Sequence, residues 1–156
     1  MRDTVIVEAV RTAVGKRNGS LADMHAADLS ALVLNELVER TGVDPDMIDD
    51  VVWGCVSQTS EQAGNVARTA ILAAGWLECA TGTTVIKACG SSQQALSMAA
   101  AAVVSGQQDI VVAGGVESMS RVPMGSAAPN GESQPPTVLD RYGVDRFSQG
   151  IGAEMM

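Results

Sequence analysis

Aromatic side chains are almost missing from this sequence: two Trp, one Tyr and one Phe amount to 3% of 156 residues. A core must therefore come from Ala, Val, Ile, Leu and Met, and 16 Gly point to tight turns and close helix packing. Positive charge is also scarce. Ten Lys and Arg stand against 18 Asp and Glu, a net charge of −8, which argues against nucleic-acid binding because phosphate contacts need a basic face. No run approaches the roughly 18 apolar residues of a membrane span. Residues 1–4 lead straight into a strand-like run, without the apolar region of a signal peptide. The three cysteines, at 55, 79 and 89, fit neither a disulfide framework nor a zinc site. A reducing cytoplasm is the expected location.

What is present suits a folded domain: 46% apolar and 18% charged residues supply a packed core and a solvated surface. Thr4 to Val10, rich in β-branched residues, reads as a strand. From Asp28, the residues Leu29, Leu32, Val33 and Leu37 make a helical stripe that Gly42 ends. Asp50 to Val56 reads as a strand, Asn65 to Ala74 as a helix stopping at Gly75, and Gly82 to Lys87 as a third strand. Ser91 to Ser105 is apolar all round in its second half, the mark of a buried helix. Asp109 to Ala113 is a fourth strand, broken by Gly114-Gly115. Alternating strands and helices predict an α/β layered domain with a mostly parallel sheet covered by helices.

After Ser118 the character changes. Residues 123–136 hold four of the five prolines, a long aperiodic excursion of the sort that is usually functional or leads into another unit. The division expected is one unit over 1–117 and the start of another over 118–156. Ile151 to Met156 reads as a helix cut near its start.

Cys89 has the setting of a nucleophile, the alternative being a small buried hydrophobe. It lies between the strand at 82–87 and the helix opening at Gly90 or Ser91, facing that helix's positive end and its free N–H groups. Both favour thiolate, whereas an unperturbed thiol with pKa near 8.5 is only about 3% ionised at pH 7. Gly90 leaves room for a substrate carbonyl, and Ser91 and Ser92 are candidate helix caps. A free Cys is often simply a small buried hydrophobe, and that is the reading for Cys55 and Cys79, which lack such a setting. His25 reads as a loop residue. Gly114-Gly115 reads as a tight turn rather than a phosphate loop, since the Walker pattern is absent. Lys16, Arg17, Arg121, Arg141 and Arg146 read as solvated surface charges.

The block Cys89-Gly90-Ser91-Ser92-Gln93-Gln94-Ala95-Leu96, followed by Val112-Ala113-Gly114-Gly115-Val116-Glu117-Ser118-Met119-Ser120, resembles the thiolase family. Further similar blocks follow the same order. They are Glu8-Ala9-Val10-Arg11-Thr12 with Gly15-Lys16, Gly54-Cys55-Val56 with Gln58, Asn65-Val66-Ala67-Arg68 leading to Ala74-Gly75, and Gly150 with Ala153-Glu154. Ser-Gln-Gln after Cys-Gly-Ser is closer to the degradative acyl-CoA acyltransferases of fatty acid metabolism than to the biosynthetic enzymes.

The resemblance implies a layered thiolase-like fold, one of its two repeated halves being present. It implies that Cys89 is the acyl-accepting nucleophile in the reversible reaction of a 3-ketoacyl-CoA with CoA, giving acetyl-CoA and a shortened acyl-CoA. No metal or redox cofactor is implied, and CoA is a substrate. By the same resemblance Ser148 and Gln149 lie near the acyl-pantetheine end, Glu117 is a structural carboxylate, and the full-length parent is a homodimer or homotetramer. Ile86 and Ala88 depart from the family's usual residues, which bears on acyl preference or on packing behind the sulfur. Members of the family are more than twice as long, and their second half supplies a Gly-His-Pro histidine, a second Cys in a Cys-x-Gly turn and an Asn. None of these motifs occurs here, so the chain alone is expected to be inactive, because carbanion formation needs a general base and a stabilised enolate oxygen. Two other readings are a non-catalytic binding or dimerisation piece and a ketoacyl-synthase-like condensing enzyme.

Overall fold

A computed structural model describes residues 2–128 and 133–156. Three five-residue strands form its sheet: β1 (Asp50–Gly54), β2 (Thr81–Val85) and β3 (Val111–Gly115), in the order β2-β1-β3 and all parallel. Helices α1 (Ala26–Thr41), α2 (Val66–Ala73) and α3 (Ser91–Ser105) connect and cover them. Two short helices follow, α4 (Pro136–Tyr142) and α5 (Gln149–Glu154). The domain is α/β, an open parallel sheet flanked by helices, as the alternation of elements predicts. Among the described residues no helix is long and apolar enough to cross a membrane.

Local signals set the helix ends. Gly42 and Gly106 adopt left-handed conformations just past α1 and α3, where an L side chain would be strained. The side chain of Asn65 caps α2 by accepting from Arg68 N, and His25 caps α1, its Nδ1 accepting from Ala27 N at 3.1 Å. His25 is thus a loop residue with a structural task.

The pleat sorts the sheet into two faces. Val51, Trp53 and Cys55 join Leu34 of α1 and Val66, Ala67, Ala70 and Ile71 of α2 in one buried cluster. The Trp53 indole N–H donates to Ser30 Oγ at 3.1 Å, and that hydroxyl donates to Ala26 O, so the buried polar atoms are partnered. On the other face Gly54 and Gly115 lie against the start of α3. A Cβ on Gly54 would fall 2.5 Å from Ser92 N and 2.6 Å from Ser91 C, and one on Gly115 would collide with Ser92 Oγ. Gly114 is therefore not a strand breaker. It is the penultimate residue of β3, and its missing side chain makes room for the Trp53 ring, 2.5 Å from where a Cβ would stand.

Three expectations change. Thr4 to Val10 is extended but pairs with nothing among the described residues, and Val5, Ile6 and Val7 are about three-quarters exposed. Its β-branched composition fits a pleated, half-buried surface, yet no strand lies along the outer edge of β3 to provide one. The segment is instead held at its start by the Arg2–Asp109 ion pair and by Thr4 Oγ1 donating to Ala100 O. Helix α3 is not buried all round. Ser91, Ala95 and Ala99 form its one buried stripe, while Leu96 and Met98 are 47% and 41% exposed, because only the strands pack extensively on it among the described elements. Finally, the proline-rich excursion contains order: Pro136 starts α4 at a position that needs no backbone N–H. Pro129, Asn130 and Gly131 lie outside the described residues.

Candidate active site

The parallel strands all end at the same edge of the sheet, the usual place for sites in open α/β folds. Cys89 stands there. β2 ends at Val85, and the chain turns tightly through Lys87–Ser91 into α3. Gly90 N donates to Lys87 O at 3.0 Å and Ser91 N to Ala88 O at 3.1 Å, closing the turn. Ala88, immediately before the cysteine, has φ +44°, a conformation that costs a residue carrying a Cβ. The Cys89 side chain is exposed.

The first turn of α3 bears no acidic residue, and its N-cap, Gly90, has no side-chain cap. The expected capping by Ser91 and Ser92 is absent. Ser91 Oγ instead reaches backwards, accepting from Lys87 N at 2.9 Å and donating to Ala88 O at 2.6 Å. Ser92 and Gln93 N–H groups have no acceptor among the described residues, so the helix presents donors at the end from which the cysteine turn projects. A Cβ on Gly90 would meet only Lys87 O, at 3.5 Å. Gly90 thus keeps the approach open without relieving any clash.

Cys55 is the contrasting thiol. It is buried, and burial together with the nearby Glu117 carboxylate, 4.0 Å away, pushes it up to about 11, so it stays protonated at neutral pH. Glu117 itself is a hydrogen-bonded carboxylate of the kind expected, accepting from Val56 N at 2.7 Å, Ser57 N at 3.2 Å and Gln62 Nε2 at 3.0 Å. Gln62, fully buried, also donates to Ser57 O and accepts from Ser118 N at 2.7 Å. Together the two residues tie the loop after β1 to the end of β3. Gln62 was not legible as a site residue, since a lone Gln in a polar stretch carries no pattern. Next to this tie Arg121 pairs with Glu61, whose carboxylate is held below its usual range by the guanidinium. Arg121 is therefore not simply a solvated charge.

An open groove of about 1150 Å³ runs between residues 6–18 and β3, reaching Ser92 and Gln93 of α3 but not Cys89. Its wall includes Lys16 and Arg17. Ser148 caps α5 by accepting from Ile151 N at 3.4 Å, and Gln149 is the first, exposed residue of that helix. No hydrogen bond joins either to the Cys89 turn, and neither α4 nor α5 packs extensively on the sheet or on α1–α3.

The sequence matches the thiolase N-terminal domain over residues 4–144. The chain belongs to the thiolase family. It is 46% identical to the steroid 3-ketoacyl-CoA thiolase FadA6 of Mycobacterium tuberculosis, an alignment covering 100% of this chain and 40% of that protein. It is 41% identical to the 3-ketoacyl-CoA thiolase of Psychrobacter cryohalolentis, covering 99% of this chain and 39% of the relative. It is 46% identical to the 3-oxoadipyl-CoA/3-oxo-5,6-dehydrosuberyl-CoA thiolase of Escherichia coli, over 82% of this chain and 33% of the relative. The chain therefore spans about 40% or less of the length of these thiolases. The sheet, α1–α3 and the Cys89 turn all fall inside the matched thiolase domain.

Proposed function

We propose that this chain is the nucleophile-bearing part of an acetyl-CoA acyltransferase of the thiolase type, with Cys89 as the acyl-accepting residue. The Cys89 thiolate attacks the 3-keto carbonyl of a 3-ketoacyl-CoA. The bond between C2 and C3 breaks, its electron pair leaves with the acetyl-CoA unit as an enolate that takes up a proton, and the shortened acyl group remains on sulfur. The thiolate of CoA then attacks this thioester, releasing the shortened acyl-CoA and restoring the Cys89 thiolate. In the second stage one thioester replaces another, so that step is close to balance, and covalent catalysis divides a hard reaction in two. CoA enters as substrate, and no metal is assigned a role.

The observation that carries the reading is an exposed thiol at the strand-to-helix turn, beside unpaired backbone donors, within residues similar to thiolases. The general base and the groups that stabilise the enolate are assigned to residues beyond this chain, so the 156 residues alone are inactive in thiolysis. Residues 1–117 are the half-core and 118–156 the start of a substrate-covering unit, with Ser148 and Gln149 near the pantetheine. The parent is a cytoplasmic homodimer or homotetramer of fatty acid metabolism.

Cys79 is the natural control, being exposed like Cys89 but lacking the helix start. Iodoacetamide at pH 7 is expected to label Cys89 faster than Cys79, and Cys55 slowest. Equal rates at 79 and 89 would count against an activated thiol. Thiolysis of acetoacetyl-CoA by this chain alone would show that the missing groups had been misassigned. A second reading, a non-catalytic piece that associates through its surface, draws on the unpaired edge of β3 and on exposed Leu96 and Met98.

A further inference from the structure

We propose that Ser91 is a positioning residue for Cys89, its hydroxyl bracing the turn that aims the sulfur. The proposal rests on reading Cys89 as the nucleophile. Three observations support it. Ser91 is buried, and both bonds of its hydroxyl go to the turn: Lys87 N donates to it at 2.9 Å, and it donates to Ala88 O at 2.6 Å. A serine at a helix start ordinarily caps helix N–H groups; this one serves the residues before the cysteine. Secondly, Ala88 is held at φ +44°, which an L residue leaves unless its surroundings hold it there. Its carbonyl accepts from both the amide and the hydroxyl of Ser91, so the strained residue is held by the serine two positions beyond the cysteine. Thirdly, the backbone of Ser91 cannot drift. It and Ser92 lie against Gly54 and Gly115, where no Cβ fits, so the first turn of α3 is seated on the ends of β1 and β3. Cys89 makes no side-chain hydrogen bond among the described residues, and Ser91 is the link between that seat and the exposed sulfur.

A braced turn fixes the direction from which the thiolate meets a carbonyl and keeps it beside the α3 donors. Without the hydroxyl, Ala88 relaxes towards ordinary φ and the sulfur swings away. In the 156-residue chain, Ser91→Ala is expected to lower the rate of Cys89 alkylation by iodoacetamide about tenfold at pH 7 and to move the midpoint of its pH–rate profile upwards. The rate at Cys79 and the protection of Cys55 should not change. Ser91→Thr, which keeps the hydroxyl, should recover most of the rate. Ala88→Gly placed in the Ser91→Ala chain should recover part of it, since glycine holds a positive φ without a brace. A Ser91→Ala chain with unaltered Cys89 rate and pH profile overturns the proposal alone. Exposure of Cys55 in that variant makes Ser91 a folding residue and likewise overturns it. If Cys89 in the unaltered chain reacts no faster than Cys79, the nucleophile reading fails and the proposal falls with it.

Discussion

The two faces of the sheet differ in how completely they are closed. On one, α1 and α2 pack together over Val51, Trp53 and Cys55, leaving Leu34, Ile71 and Ala70 with no exposed surface. On the other, α3 touches the sheet along a stripe of small residues, and Leu96 and Met98 face outward. The turn bearing Cys89 belongs to this open side, and the groove along β3, which Leu29 of α1 and Trp53 also line, reaches it at Ser92 and Gln93. The closed face supplies the apolar burial that stabilises the domain. The open face, having little to bury, holds its elements by close backbone approach at Gly54 and Gly115, which sets positions tightly even where few large side chains meet. In this domain rigidity at the candidate site comes from contact geometry, and stability comes from the opposite side of the sheet.

The comparison breaks if large-to-small substitutions cost the same on both sides. Ile71→Ala, at a site with no exposure, is expected to lower unfolding free energy by about 2–5 kcal/mol. Leu96→Ala should change it by no more than about 0.5 kcal/mol. Urea titrations of the two variants read the difference directly. Next in size are the glycines. Gly54→Ala drives a Cβ to within 2.6 Å of the Ser91 and Ser92 backbone, and backbone cannot step aside as a flexible side chain can. A loss of about 1–3 kcal/mol is expected, together with slower alkylation of Cys89 as α3 is pushed off its seat. Gly90→Ala makes only an ordinary contact with Lys87 O and should cost about 1 kcal/mol or less, the usual difference between Gly and Ala at a helix N-cap. If Gly54→Ala leaves the Cys89 rate untouched, the seat of α3 does not govern the turn.

Much of this was legible from residue pattern, and the part that was not has a common cause. The helix starts and stops came from Gly42, Asn65 and Gly75, whose signals are local. Central strand β1 came from its continuous apolar run, because a strand covered on both faces needs no alternation. What failed depended on a neighbour. Thr4–Val10 has the composition of a strand but no ladder to join, and the all-round apolar character of α3 says that its surface suits burial without saying what covers it. The site divided in the same way. Cys89 was placed by its position between a strand and a helix, whereas the tasks of Ser91 and Gln62 depend on hydrogen bonds to residues brought together by the turn and the sheet. Gly114 read as a breaker because a strand glycine carries no hint of the ring it must clear. Family resemblance pointed to Cys89 as the candidate nucleophile but could not show that Ser91 faces backwards.

A pH-dependent effect also separates the closed face from the open one. Cys55, raised from an ordinary 9.0 to about 11, first by burial and then by Glu117, stays protonated in the folded chain when the unfolded chain has already lost that proton. A raised pKa means that the folded state binds the proton more tightly, so the contribution to stability is intact below pH 9 and declines as pH climbs towards 11. The slope cannot exceed about 1.4 kcal/mol per pH unit for a single group. The comparison is with Cys55→Ala, in which this part of the alkaline decline disappears. Substituting Cys79, exposed on the surface, should leave the decline as it was. Urea midpoints measured at pH 8, 9.5 and 11 for the three chains test this. Equal slopes in all of them would mean that the buried thiol does not feel the closed face as its surroundings require.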